Sequence, residues 1–319
     1  MRTPAITTLK LATTAFFWGG TFMAGKWAVR EAPPFSVAFL RFAAAAAVLF
    51  AVLAWKAGKA APPAKLPFPR GAAQWAGLFS LGLTGMFLYN FFFLKGLSLT
   101  TAANGSLIVS LNPLITALLS AALLKERIRP ARWLGLLLAL AGVGVVVTDG
   151  DPASLMTRPP NPGDLLLLGA PLMWAFYTVV GKKVLERVPP LAATAYAALF
   201  GTLLLLPAAA LEAPLSQTVS GLTLWGWLSV LQLALLGTVV GFVWWYDGVA
   251  ELGAARAAVF VYLVPLFGVL LASLVLSEPV GPAKITGGLL ILGGVYAGTL
   301  ADRPEAPGSA LPGAGSPPT

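Results

Sequence analysis

A chain of 319 residues that is 58% hydrophobic and only 10% charged is not a soluble domain, because 21 Lys and Arg with 12 Asp and Glu cannot coat such a surface. Most of its exterior must face lipid. With no Cys and no His, disulfides, thiolate metal sites, cysteine nucleophiles and imidazole bases are all excluded. The net charge of +9 would suggest nucleic acid in a soluble chain but reads first as topology in a membrane protein, so no nucleic-acid partner is expected.

Charged and Pro/Gly punctuation divides the chain into ten apolar stretches of roughly the 20 residues that cross a bilayer. They run over 6–29, 36–55, 74–94, 101–124, 131–148, 164–185, 191–211, 224–247, 255–277 and 283–300. Runs such as 134–147 are apolar on every side, which fits helices and not the alternation of transmembrane strands. The first stretch lacks a small-residue cleavage site and is read as retained. Beyond Asp302 the chain is polar and rich in Pro and Gly, as a disordered tail would be. Fifteen of the 21 Lys and Arg fall on the side that carries both termini and five on the other, so the positive-inside rule makes that side cytoplasmic. A multi-pass protein of the cytoplasmic (inner) membrane is expected.

Sliding the chain on itself exposes an internal repeat. At an offset of 156, Trp18, Gly25, Lys26, Pro33 and Pro34 fall on Trp174, Gly181, Lys182, Pro189 and Pro190. After a four-residue shift the offset becomes 152, and Gly85, Gly96, Pro113, Glu126, Gly135 and Gly142 fall on Gly237, Gly248, Pro265, Glu278, Gly287 and Gly294. Five spans per half is an odd number, so the halves enter the membrane from opposite sides. The expected fold is all-α and integral to the membrane: ten transmembrane helices as two inverted five-helix repeats, 1–149 and 150–301, with a tail over 302–319. Such halves can exchange conformations, opening a pocket between them to each face in turn.

All twelve acids fall at span ends or in loops. Without a midplane carboxylate or any His, facilitated exchange or uniport is favoured over proton coupling. Intramembrane enzymes built on paired aspartates, HExxH zinc sites or Ser–His dyads are likewise excluded. No cofactor and no metal are expected.

What remains in the interior is aromatic rings beside small and hydroxyl residues. Trp18, Thr21 and Gly25 share one helix face, as do Trp174, Tyr177 and Gly181; Met86, Tyr89 and Phe93 form such a face in the third span, and Thr238, Gly241 and Trp245 in the eighth. Trp18 and Trp174 lie midway along their spans, where an indole N–H needs a partner, and are candidates to line a substrate cavity. Trp55, Trp75, Trp133 and Trp225, near span ends, read as interface anchors. Pro113 and Pro265 occupy matching mid-span positions, each freeing a carbonyl one turn earlier beside Ser110 and Asn112 or beside Tyr262; they are either static kinks or hinges. Arg41 is about five residues inside the second span, roughly 8 Å, so it either snorkels to the interface or anchors a carboxylate or gate. Glycines of the fifth and tenth spans make flat faces, for internal contact or for a weak dimer of an otherwise monomeric protein.

The segments FFWGGTFMAGKWAVREAPPFSVAFLRFAAAA, AANGSLIVSLNPLITALLSAALLKER and ARAAVFVYLVPLFGVLLASLVLSEP resemble the EamA-type members of the drug/metabolite transporter superfamily. The resemblance covers about 9–300 and implies a ten-span exporter. Within that family the aromatic interior without embedded carboxylates looks like the amino-acid exporters, aromatic amino acids included, rather than the four-span drug exporters, whose mid-span Glu is missing here. The expected activity is export of small metabolites, amino acids first, from a site drawing on Trp18, Thr21, Tyr89, Phe93, Ser110, Asn112, Trp174, Tyr177, Trp245 and Tyr262. Other organic solutes or drugs, and a non-transporting receptor or scaffold, are the alternatives.

Overall fold

The computed structural model describes residues 4–59, 68–124, 130–154, 159–252 and 259–300, and all regular structure among them is helical. In chain order, α1 is Pro4–Glu31 and α2 Pro34–Lys59. Ala72–Leu99 forms α3, wound as π-helix over Gly82–Leu88 and Phe91–Lys95. Helix α4 comprises Ala102–Val109 and Asn112–Leu124, α5 is Pro130–Val147, α6 Pro162–Leu185 and α7 Pro190–Glu212. After a short helix, Leu215–Gly221, α8 comprises Leu224–Leu231, a π segment Gln232–Val240 and Gly241–Leu252. A 3₁₀ turn, Val259–Tyr262, leads into α9, Leu263–Leu276, and α10 is Pro282–Leu300. Helices α2, α5, α6, α7 and α10 start on proline, whose missing N–H is unneeded in a first turn. Thr101, Asn161 and Thr223 cap α4, α6 and α8 by accepting backbone N–H groups.

Among the described residues five helices, α2, α3, α6, α7 and the Leu224–Trp245 part of α8, are long and apolar enough to cross a membrane, and α5 and α9 add shorter apolar stretches. Large aliphatics such as Leu137, Leu211, Leu274 and Leu289 point outward, while the interior combines many alanines with buried Leu and Phe such as Leu49, Leu78, Phe42 and Phe93. Helix α2 packs on α7, and Ala38, Ala45 and Ala46 of the one and Ala193 and Ala197 of the other are buried. Helix α5 meets α10 where a Cβ on Gly142 would lie 2.6 Å from the Gly287 carbonyl oxygen, so these glycines serve internal contact. Helix α1 packs on α8 and α9, and α6 on α3 and α4. Exchanging α1–α5 with α6–α10 leaves these main pairings unchanged. The irregularities also correspond: α3 and α8 both pass through π-helix, α4 pauses at Ser110 and Leu111, and α9 changes from 3₁₀ to α between Tyr262 and Leu263. Each break falls two or three residues before a proline, Pro113 or Pro265.

Candidate functional site

Seven rings form a continuous series through the middle of the bundle. Trp245 lies against Trp18, Trp18 against Phe242, Phe242 against Trp174, Trp174 against Tyr89, Tyr89 against Phe93 and Phe93 against Phe22, with centroids 5.4, 5.9, 6.1, 5.7, 5.7 and 5.2 Å apart. Tyr177 joins from the side, 5.4 Å from Trp174. Trp18, Tyr89, Trp174 and Trp245 keep partial exposure, whereas Phe93, at 1%, backs Tyr89 from within the core. The Trp18 indole N–H finds the partner its depth requires, donating to the Gly237 carbonyl at 3.0 Å, and Thr21 donates to the Trp18 carbonyl.

Glycine makes this arrangement possible. A Cβ on Gly241 would lie 2.7 Å from Trp18 Nε1, one on Gly237 2.7 Å from Thr21 Cγ2, and one on Gly85 2.3 Å from the Tyr177 ring. Gly85 and Gly237 are repeat-related, as are Tyr177 and Thr21. Met86 does not share the face of Tyr89: it is buried against Gly201 of α7, because π winding over Gly82–Leu88 shifts the register that regular helical spacing assumes. Phe242 carries no polar atom and was not expected in the site, although its neighbour Gly241 was.

Arg41 does not snorkel. It is 7% exposed, with Nε and Nη2 donating to Thr238 Oγ1 at 3.2 Å each, Nη1 donating to Asn90 Oδ1 at 3.0 Å, and its guanidinium 5.0 Å from the Phe42 ring centroid. Both acceptors are held by the π-wound backbone: Thr238 donates to the Leu233 carbonyl and Asn90 to the Met86 carbonyl. Partners on two other helices are invisible to an argument from one helix.

Ser110 donates to the Leu107 carbonyl at the α4 break, and Asn112 Oδ1 is buried without a hydrogen-bond partner, but neither is in the ring series. The Tyr262 side chain lies outside those described. Of the expected interface anchors, Trp55, Trp133 and Trp225 are exposed, while Trp75 packs on Tyr196 and Phe200.

The two ends of the bundle differ. At the end where α1 finishes, the Glu212 carboxylate of α7 accepts the backbone N–H groups of Phe35 and Ser36, and Glu31 accepts the backbone N–H and hydroxyl of Thr223 and the Trp27 indole N–H. Burial acts to raise the Glu31 carboxyl, but these hydrogen bonds outweigh it and hold it below its ordinary value. Glu278 accepts the Ala102 and Ala103 N–H groups at the start of α4, Asp164 accepts Thr100 and Asn104, and Lys26 donates to the Leu97 and Thr100 carbonyls. At the end where α1 begins, Lys10 pairs with Asp247 at 2.7 Å and Thr7 donates to Glu251. There a cavity of 210 Å³ is lined by Leu49, Lys56, Pro190, Thr194, Asp247 and Phe242 of the ring series.

Apolar helices with outward aliphatics around an aromatic and polar interior define a multi-pass membrane protein of helical type. The chain belongs to the EamA-like transporter family, which matches residues 6–148 and again 161–299; it is a membrane transporter and not an enzyme. It is 34% identical over 296 residues to an uncharacterized transporter of Archaeoglobus fulgidus, covering 91% of this chain and 96% of that one. It is 31% identical to the uncharacterized transporter YyaM of Bacillus subtilis, covering 88% and 89%. A relative from Streptantibioticus cattleyicolor named "Probable terminal-alkyne amino-acid exporter" is 30% identical over 220 residues, 67% of this chain and 69% of that one. One crystal structure superimposes with a TM-score of 0.64 at 25% identity, covering 94% of this chain and 99% of the other.

Proposed function

We propose that the protein exports small zwitterionic metabolites, amino acids first among them, across the cytoplasmic membrane by alternating access. In this reading ten transmembrane helices form two inverted repeats, 1–149 and 150–301, with both termini cytoplasmic. The twofold family match and the exchange-invariant helix pairing support it. Trp18, Thr21, Tyr89, Trp174, Tyr177 and Trp245 line the path, and Pro113 and Pro265 act as hinges. The observation that carries the reading is the junction at Phe242, where Trp18 and Trp174, one from each half, meet the same ring. A solute held there touches both halves, so its binding energy depends on how one half is set against the other. Clasps at one end and the cavity at the other then correspond to a form open to the cytoplasm. The amino-acid class draws on the Streptantibioticus relative and on amphipathic rings beside hydroxyl groups.

Proteoliposomes preloaded with labelled amino acids test the proposal. Efflux above that of protein-free vesicles is expected; binding without flux would favour a receptor, and neither binding nor flux for any small-solute class would remove the reading.

A further inference from the structure

Arg41 is the one arginine buried among the described residues, and its surroundings are unusual. A guanidinium removed from water is normally paired with an acid, since an uncompensated buried charge costs several kcal/mol. Among the described residues no carboxylate lies within ion-pair distance of Arg41. Its hydrogen-bond partners are neutral, Thr238 and Asn90, and they take three of its five N–H groups. Donor capacity and a full positive charge are therefore left over.

The fold does not demand this cation. At the repeat offsets of 156 and 152 the counterparts of Arg41, Asn90 and Thr238 are Ala197, Phe242 and Met86, all apolar. A brace needed to join the second helix of a half to its neighbours would occur in both halves. The cluster occurs once, with Arg41 and Asn90 from the first half and Thr238 from the second, and the symmetry-related positions hold apolar side chains instead.

The cluster adjoins the ring series. Asn90 follows Tyr89, and the cation lies within electrostatic range of the Tyr89 phenol. Thr238 follows Gly237, whose carbonyl takes the Trp18 indole N–H, and Arg41 Nη2 is 4.0 Å from where a Gly237 Cβ would stand. Resting on the transport reading above, we propose that Arg41 binds the carboxylate of the transported solute. The solute's apolar side chain then lies on the rings of Tyr89, Trp18 and Trp174, which makes aromatic and large apolar carboxylates the preferred class. The planar fork of the guanidinium matches a carboxylate, and Asn90 and Thr238 hold it in orientation before the solute arrives.

Purified full-length protein is titrated with phenylacetate, L-phenylalanine, L-phenylalaninamide and phenethylamine, with binding followed by calorimetry. The two carboxylates are expected to bind roughly 10- to 100-fold tighter than the two compounds without one. Arg41→Gln should abolish that preference while amide binding changes little, and Arg41→Lys should restore part of it. Equal affinity for phenylalanine and its amide in the wild type overturns the inference even if no Arg41 variant folds. So does an Arg41→Gln protein, monodisperse, that weakens all four probes alike, as a purely structural role would. Absence of binding by all four also overturns it, whereas flux of other solutes in vesicles would leave the transport reading standing.

Discussion

Glu278 gives the sharpest mechanical prediction. Its carboxylate is buried and accepts the Ala102 and Ala103 backbone N–H groups at 2.9 and 3.0 Å, joining the loop after α9 to the N-terminus of α4. Glu278→Gln keeps one acceptor oxygen, loses the other, and removes a negative charge from the positive end of a helix dipole. One charge-assisted hydrogen bond and the dipole interaction together are worth about 2 kcal/mol. If this clasp forms only while its end of the bundle is closed, the whole amount falls on the closed form, and the open population rises about 30-fold. The chain has no cysteine, so a single reporter can be introduced cleanly. Ser36 suits this role, being fully buried at that end with a hydroxyl that has no partner. The labelling rate of Ser36→Cys by a membrane-impermeant maleimide should rise by about that factor when Glu278→Gln is added, and saturating substrate should alter it further. A lowered melting temperature with an unchanged labelling rate would show that Glu278 caps α4 in every conformation and clasps nothing.

Trp18→Ala or Trp174→Ala deletes ring contact worth about 1–3 kcal/mol, so initial flux per monodisperse molecule should show a weakened apparent affinity or altered substrate preference, unlike replacement of the exposed Trp133. Gly142→Leu drives a side chain into the Gly287 carbonyl and should destabilise the α5–α10 contact by about 1–3 kcal/mol in thermal melts, whereas Gly144→Ala, where a Cβ meets nothing within 4 Å, should be neutral. The partly exposed Lys10–Asp247 pair should show less than about 1 kcal/mol of coupling in a double-mutant cycle, falling with added salt. Because the Glu31 carboxyl is held below its ordinary value, its contribution to stability is present above the unfolded value of about 4.3 and is lost as pH falls through the folded one. The melting-temperature gap between wild type and Glu31→Gln should therefore close on acidification.

Much of the scaffold was legible because a span is a property of one segment. The stretches 36–55, 191–211 and 224–247 differ from α2, α7 and α8 by a few residues at each end, and the breaks in α4 and α9 sit beside the prolines that signalled them. Trp18 and Trp174 stood out as mid-span indoles, and Tyr89, Tyr177 and Trp245 as rings at helical spacing beside small or hydroxyl residues; the structure brings the five together. What the sequence concealed depends on contacts between segments or on altered winding. Arg41 looked free to reach the interface because its partners lie on α3 and α8. Met86 was set beside Tyr89 because no residue pattern announces the π segment of α3. The sequence placed the acids at span ends but not their partners, because the N–H groups that Glu212 and Glu278 accept belong to distant parts of the chain. Phe242, an apolar residue among many, had no signal beyond its neighbour Gly241.

The central claim is that a solute at the Phe242 junction crosses only when the clasped end opens. Ser36→Cys with Glu212→Cys, positioned where the Glu212 carboxylate meets the Ser36 backbone, allows that end to be tied by a short cleavable bismaleimide in an otherwise cysteine-free chain. Efflux of labelled phenylalanine from proteoliposomes is then measured before cross-linking, after it, and after the cross-linker is cleaved. Alternating access predicts that flux falls in proportion to the cross-linked fraction and returns on cleavage. Full flux through the tied protein would contradict the account.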